Sequence, residues 1–240
     1  LIGVEGLEAR YAPGRPAIRG MSFSIDAGRT VAVLGTNGGG KTTLLRALLG
    51  DVPRSTGEIT LGAGVAYVPQ TERSRLDFPV SARDVALMGT FGRVPWYRRL
   101  GREERCAADD ALARVGLADR AGVQFGELSG GQRRRVLIAR ALAQDARILL
   151  LDEPLSGVDQ PSGERILALL DELRDEGRAV LVSTHDTEQA RRFDLVLCVH
   201  DEQVAFGPPA EVLTPEVLRR TYGGELVVLD GGERALVVQH

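Results

Sequence analysis

Thr30-Val31-Ala32-Val33-Leu34-Gly35-Thr36-Asn37-Gly38-Gly39-Gly40-Lys41-Thr42-Thr43-Leu44-Leu45 is the stretch that decides the fold. Residues 30–34 are a short, β-branched, apolar run between Gly28 and Gly35, which predicts a buried strand. From Lys41 onward, leucines at 44, 45, 48 and 49 share one helical face until Gly50, which predicts a helix over 41–50. Between the two, Gly35 to Thr42 fits the pattern Gly-x-x-x-x-Gly-Lys-Ser/Thr in its strand–loop–helix setting. The physics of that loop is specific. Glycines let successive backbone N–H groups turn inward and form an anion nest. The following helix adds the partial positive charge of its amino end. Lys41 is expected to bridge the β- and γ-phosphates of a nucleotide, and Thr42 to give its hydroxyl to Mg²⁺.

Lys41 also stands out in the composition. It is the only lysine in 240 residues, every other basic side chain being arginine. A general bias toward arginine does not explain why this position escaped. A compact ammonium suits a phosphate cradle in a way that a planar guanidinium does not.

Working outward, residues 148–154 read Ile-Leu-Leu-Leu-Asp-Glu-Pro, an apolar strand ending in two acids. Strand ends are where an α/β sheet places its ligand groups. Asp152 suits a Mg²⁺-holding role and Glu153 can polarise an attacking water. Neighbours on an extended strand point opposite ways, so the two acids are expected to face apart.

The rest of the chain alternates strand and helix. Residues 2–11 and 21–25 read as antiparallel strands around a Gly/Pro turn at 12–15. Short strands follow at 58–61 and 65–68. Residues 80–122 change character, with helices near 82–88 and 102–115 around a loop rich in Gly, Pro, Trp and Tyr, and read as a helical insertion. Strand–helix alternation returns at 148–152, 164–176, 179–183, 188–192 and 195–199, which implies a parallel sheet covered by helices. A hairpin return at 204–206, a helix at 215–222 and a closing hairpin of 225–230 and 234–239 around Gly231-Gly232 complete the chain.

With 30 Lys and Arg against 33 Asp and Glu, the net charge is -3. That balance argues against a nucleic-acid partner, and Arg133-Arg134-Arg135 reads as a solvated or ion-paired helix face. Cys106 and Cys198 are far apart and read as free thiols in a reducing compartment. No apolar run approaches ~18 residues and the opening Leu1-Ile2-Gly3 has no signal-peptide pattern, so the expectation is a cytosolic chain that meets a membrane only through partners.

Leu128-Ser129-Gly130-Gly131-Gln132 precedes an amphipathic helix over 133–143. This stretch resembles the signature of the ABC ATPase family, and other elements fall in that family's order. Gln70, after Tyr67-Val68-Pro69, resembles the Q-loop glutamine. Ser156-Gly157-Val158-Asp159 resembles the D-loop, and His185, in Ser183-Thr184-His185-Asp186, the switch histidine. Tyr11 resembles the aromatic that stacks on adenine, with a core aromatic of the first sheet as the open alternative. Thr36 stands where Pro is frequent, Thr42 where Ser is commoner, and Gly157-Val158-Asp159 where Ala-Leu-Asp is frequent. None of these removes a donor or ligand.

The resemblance covers about 2–222 and implies an α/β P-loop NTPase core with an antiparallel β-subdomain and an α-helical subdomain inserted at about 80–135. All of 1–240 reads as a single nucleotide-binding domain ending in a hairpin at about 223–240. It implies ATP and Mg²⁺ as cofactors. Tyr11 and Gly35, Thr36, Asn37, Gly38, Gly39, Gly40, Lys41, Thr42 and Thr43 are then the ATP-binding residues. Glu153, His185 and Gln70 are catalytic, with Thr42, Gln70 and Asp152 on Mg²⁺. Leu128, Ser129, Gly130, Gly131 and Gln132 would cap an ATP held by a second copy, so an ATP-dependent homodimer is implied, with Asp159 at its seam. An integral membrane permease and, indirectly, a periplasmic or lipoprotein solute-binding protein are the further partners, at the cytoplasmic face of the membrane.

Residues 77–89 with Gly92-Arg93 and Trp96-Tyr97-Arg98-Arg99, and later Ala205-Phe206-Gly207-Pro208-Pro209, Leu213-Thr214-Pro215 and Thr221-Tyr222-Gly223-Gly224, resemble the manganese, zinc and iron importer motors. Manganese is expected first, then zinc or iron, then siderophore or haem import. His200 and His240 are not expected to bind the cargo. The contrasting expectations are a soluble non-transport ABC ATPase, such as an iron–sulfur assembly factor, and a regulator that binds nucleotide without turnover.

Overall fold

The computed structural model describes residues 1–70 and 79–223, with the backbone of two further strands at 226–229 and 234–237. Three strands, β1 (Ile2–Arg10), β2 (Ile18–Ile25) and β4 (Arg54–Leu61), form an antiparallel sheet with β1 in the middle. The predicted hairpin is present, with Ile2 opposite Ile25 and Val4 opposite Phe23. The second sheet contains β3 (Thr30–Leu34), β5 (Val65–Val68), β6 (Ile148–Asp152), β7 (Ala179–Thr184), β8 (Leu195–Val199) and β9 (Gln203–Gly207). Its order is β5-β6-β7-β3-β8-β9, parallel throughout except for β9. The two short strands expected at 58–61 and 65–68 thus enter different sheets.

The central strands are buried on both faces, which is why they read as unbroken apolar runs. Their alternate side chains feed two separate cores. Val31, Val33, Ile148, Leu150 and Leu181 join the antiparallel sheet and α1 (Lys41–Leu48). Ala32, Leu34, Leu149, Leu151, Val180 and Val182 face a helical core on the other side. That second core is built by α2 (Ala82–Leu87), α3 (Arg102–Arg114), α4 (Gly130–Ala143) and α5 (Gln160–Asp175). The span 80–135 contains α2, a 3₁₀ turn at Met88–Arg93, α3, two more 3₁₀ turns and the first turns of α4. Short helices α6 (Thr187–Ala190), α7 (Pro209–Val212) and α8 (Pro215–Tyr222) follow.

Helix α5 begins at Gln160, earlier than the apolar periodicity suggests. Asp159 caps it by accepting from the Ser162 N–H at 3.2 Å, and Pro161 sits in its first turn. Strands β10 (Leu226–Leu229) and β11 (Arg234–Val237) pair antiparallel, as the closing hairpin predicts. Its Gly231-Gly232 link, like Gly224 and the resembling positions Asp77 and Phe78, lies outside the described residues.

Candidate active site

The parallel strands end together, and the loops leaving β3, β6 and β7 bring the predicted residues to one place. The loop after β3 runs into α1 through Gly40, at φ 100° in the left-handed region. A side chain there would drive into Ile18 Cγ2, so only glycine permits the turn. No side chain caps the amino end of α1, which leaves its N–H groups for a ligand. A cavity of about 220 Å³ opens there, with Thr36, Asn37, Lys41, Thr42, Gln70 and Glu153 in its walls.

Lys41 is buried and folds back over its own loop. Its ammonium donates to the carbonyls of Gly35 at 2.8 Å and Thr36 at 3.0 Å, and lies 3.6 Å from Glu153 Oε1. Burial holds its proton affinity below the usual lysine value, although the carboxylates of Glu153 and Asp152 oppose that shift.

Asp152 accepts from Thr42 Oγ1 at 2.7 Å, from Ser183 Oγ at 2.5 Å and from the Tyr67 hydroxyl at 3.4 Å. Thr42 and Asp152 present adjacent oxygen donors beside the phosphate cavity, a hard donor set that fits Mg²⁺. Burial pushes the Tyr67 phenol up to about 12.

Glu153 departs from the expectation that the two acids face apart. It has left the strand, with φ 45°, a left-handed conformation costing about 1–3 kcal/mol in a non-glycine residue. That turn swings its carboxylate back beside Lys41. There it accepts from Gln70 Nε2 at 2.8 Å, and His185 Nδ1 lies 3.9 Å away. Gln70 is therefore brought to Glu153, and its amide nitrogen is committed there rather than to the Thr42–Asp152 pair. The buried Nδ1 of His185 has no hydrogen-bond partner among the described residues. A second cavity, of about 190 Å³, is lined by both Glu153 and His185, with Ser156, Ser183 and Gln189 also in its walls.

Tyr11 is 47% exposed at the end of β1, so the core-aromatic alternative falls away. The Tyr11 side chain beside Arg46 of α1 is the main reason that guanidinium holds its proton more tightly than usual. Leu128 is buried, whereas Ser129 and Gly130 are exposed at the amino end of α4. Ser129 and Gln132 form a reciprocal capping box at 3.2 and 2.9 Å. None of residues 128–132 lines the phosphate cavity. Asp159 packs beneath this turn, since a Cβ on Gly131 would stand 3.0 Å from its Oδ1.

Several residues here were given no role in the site by the sequence, and Arg134 is bound to backbone carbonyls where a solvated or ion-paired helix face was expected. Arg134 of α4 donates to the carbonyls of Pro69 and Gln70 at 2.6 and 2.7 Å, which fixes the exit of β5. The buried Tyr222 of α8 donates to the His185 carbonyl at 3.1 Å, and burial raises its phenol well above the usual value. Ser183 touches both acids. The signal for Tyr222 lay in the late Thr-Tyr-Gly-Gly stretch; the others carry none, because their partners are distant in sequence.

Among known proteins, the family model described as "ABC transporter" matches residues 18–156. The manganese transport system ATP-binding protein MntB of Halalkalibacterium halodurans is 39% identical, covering 99% of this chain and 98% of that one. A chain from an inward-facing ABC transporter described as metal-chelate type superposes with a TM-score of 0.85 at 33% identity, covering 92% and 88% of the two chains. The bacterial ABC transporter cassette MJ0796, solved as a dimer, gives 0.75 at 26% identity, covering 87% and 99%.

Proposed function

The chain belongs to the ABC transporter family of ATP-hydrolysing subunits, and on that premise we propose that it powers uptake of a transition metal ion, manganese first. Phosphate loop, paired acids and histidine converge at the ends of one parallel sheet, and this single arrangement carries the reading. ATP is the substrate. Its phosphates replace the carbonyls on which Lys41 now rests, and Lys41 bridges the β- and γ-groups. The amides of Gly38, Gly39 and Gly40 with Asn37, Thr36, Gly35 and Thr43 cradle the chain of phosphates, while Tyr11 stacks on the base. Mg²⁺ would be held by the Thr42 and Asp152 oxygens and would supply charge neutralisation for the phosphates. Glu153 orients and polarises the attacking water, and His185, whose Nδ1 lies 3.9 Å from the Glu153 carboxylate, holds the γ-phosphate.

The exposed turn at Ser129 and Gly130 caps the nucleotide of a second copy, with Asp159 at the seam. The dimeric relative and the absence of this turn from the chain's own phosphate cavity support that arrangement. The permease docks on the helical subdomain at the cytoplasmic face of the membrane, and a solute-binding protein acts on that permease from the other side. Of the exposed large apolar side chains among the described residues, all but Tyr11 fall within positions 88–97: Met88, Phe91, Trp96 at 95% and Tyr97 at 75% exposure. Such a cluster marks a contact surface.

The test is uptake of radioactive manganese in a strain lacking this gene. The wild-type chain restores uptake and Glu153→Gln does not. Restoration of zinc or iron uptake without manganese would reassign the cargo. Full restoration by Glu153→Gln would overturn the role of that carboxylate.

A further inference from the structure

Ser183 lies on β7 directly beside Asp152 of β6 in the parallel register. It is fully buried, and the strand residues before it, Ala179 to Val182, are all apolar. A hydroxyl in such a position costs stability unless its hydrogen bonds are made, and a valine would fill the space without that demand. Ser183 makes two bonds, and both go to the acid pair. Its one hydrogen is donated to Asp152 Oδ1 at 2.5 Å, and its oxygen accepts the Glu153 N–H at 2.8 Å.

We propose that Ser183 is a positioning residue for ATP hydrolysis, one hydroxyl that sets both carboxylates at once. The inference rests on the roles given above to Asp152 and Glu153. On one side, the bond to Oδ1 fixes the plane of the Asp152 carboxylate and leaves Oδ2 turned to Thr42, where the metal-holding oxygens must sit. On the other side, the bond from the Glu153 N–H anchors the backbone in its left-handed turn. That turn is what carries the Glu153 carboxylate to Lys41 and Gln70 rather than away from them. The hydroxyl is polarised in one direction, from amide through hydroxyl to carboxylate, so each bond strengthens the other. Removing it leaves the buried Glu153 amide unpaired and leaves Asp152 Oδ1 without the bond that sets the carboxylate plane.

The experiment compares Ser183→Ala and Ser183→Thr with the wild-type chain, with Asp152→Asn and Glu153→Gln as controls. Steady-state hydrolysis gives kcat and KM, and calorimetry gives ATP affinity with and without Mg²⁺. For Ser183→Ala, kcat falls about tenfold or more, the affinity for metal-free ATP stays within about twofold, and the gain in affinity on adding Mg²⁺ shrinks severalfold. Ser183→Thr, which keeps the hydroxyl, restores both kcat and the Mg²⁺-dependent gain. Wild-type kcat and an intact Mg²⁺ gain in Ser183→Ala would overturn the proposal. So would an equal loss of metal-free ATP affinity accompanied by a lower melting temperature, which is the behaviour of a packing residue. If both control variants hydrolyse ATP at the wild-type rate, the roles of the acids fail and not only that of Ser183.

Discussion

Two helix amino ends in this molecule present N–H groups, and they are finished in opposite ways. At α1 no side chain caps the first turn, and the buried Lys41 lies over it beside Glu153. At α4 the first turn is closed by its own Ser129–Gln132 box and stands exposed. The first end is an unfinished anion site, with its cation already inside and its donors unspent. The second is complete as a local structure and offers only an outward hydroxyl and two glycines. Binding of nucleotide is therefore a property of one end within a single chain. On the function proposed above, closure over nucleotide belongs to the other end and needs a second chain.

The contrast can be broken most sharply at Lys41. Lys41→Ala removes the charge from the unfinished end, and ATP affinity by calorimetry is expected to fall about a hundredfold, the weight of lost charge-assisted bonds. An unchanged affinity would erase the distinction between the two ends. The next largest effect is expected from Ser129→Glu. This variant should bind ATP as the wild type does in separate chains, yet lose about tenfold in hydrolysis rate, because a carboxylate meets a neighbour's phosphates. In a Glu153→Gln background it should also abolish the ATP-dependent dimer on size-exclusion chromatography. Weaker ATP binding by separate chains would place Ser129 in its own chain's site.

The smallest effect tests whether the helical subdomain is held by local caps of the α4 kind. Ser81 bonds hold the Asp84 carboxyl below the ordinary range. A folded-state value below the unfolded one means stability that is present above the unfolded value and is lost as pH falls through the folded one. Asp84→Asn should cost about 0.5 kcal/mol near neutrality and less at pH 3, read from urea midpoints at the two pH values. Equal costs at both would show that the charge contributes nothing there.

What the sequence made legible was local. The phosphate loop, the acids after an apolar strand and the Ser129 turn each lie within a few residues, so spacing alone reveals them. Segments such as 58–61 and 65–68 carry the same pattern while joining different sheets, because partner choice depends on distant strands. The left-handed turn at Glu153 was hidden, since its cause is a hydroxyl on the next strand. The fork of Arg134 on Pro69 and Gln70, and the bond from Tyr222 to His185, likewise join residues far apart in the chain. The early start of α5 was legible in principle, in an Asp cap followed by proline, but apolar periodicity pointed later.

The solitary lysine has a practical consequence. Because Lys41 is the one side-chain amine in the molecule, and burial leaves it less basic than ordinary amines, acylating reagents have a single side-chain target of this kind. Covalent tagging at that atom would report on the loop itself: the amine is buried against the Gly35 and Thr36 carbonyls, so a reagent reaches it only when it lifts away from them, and the mass of the intact chain records how often it does.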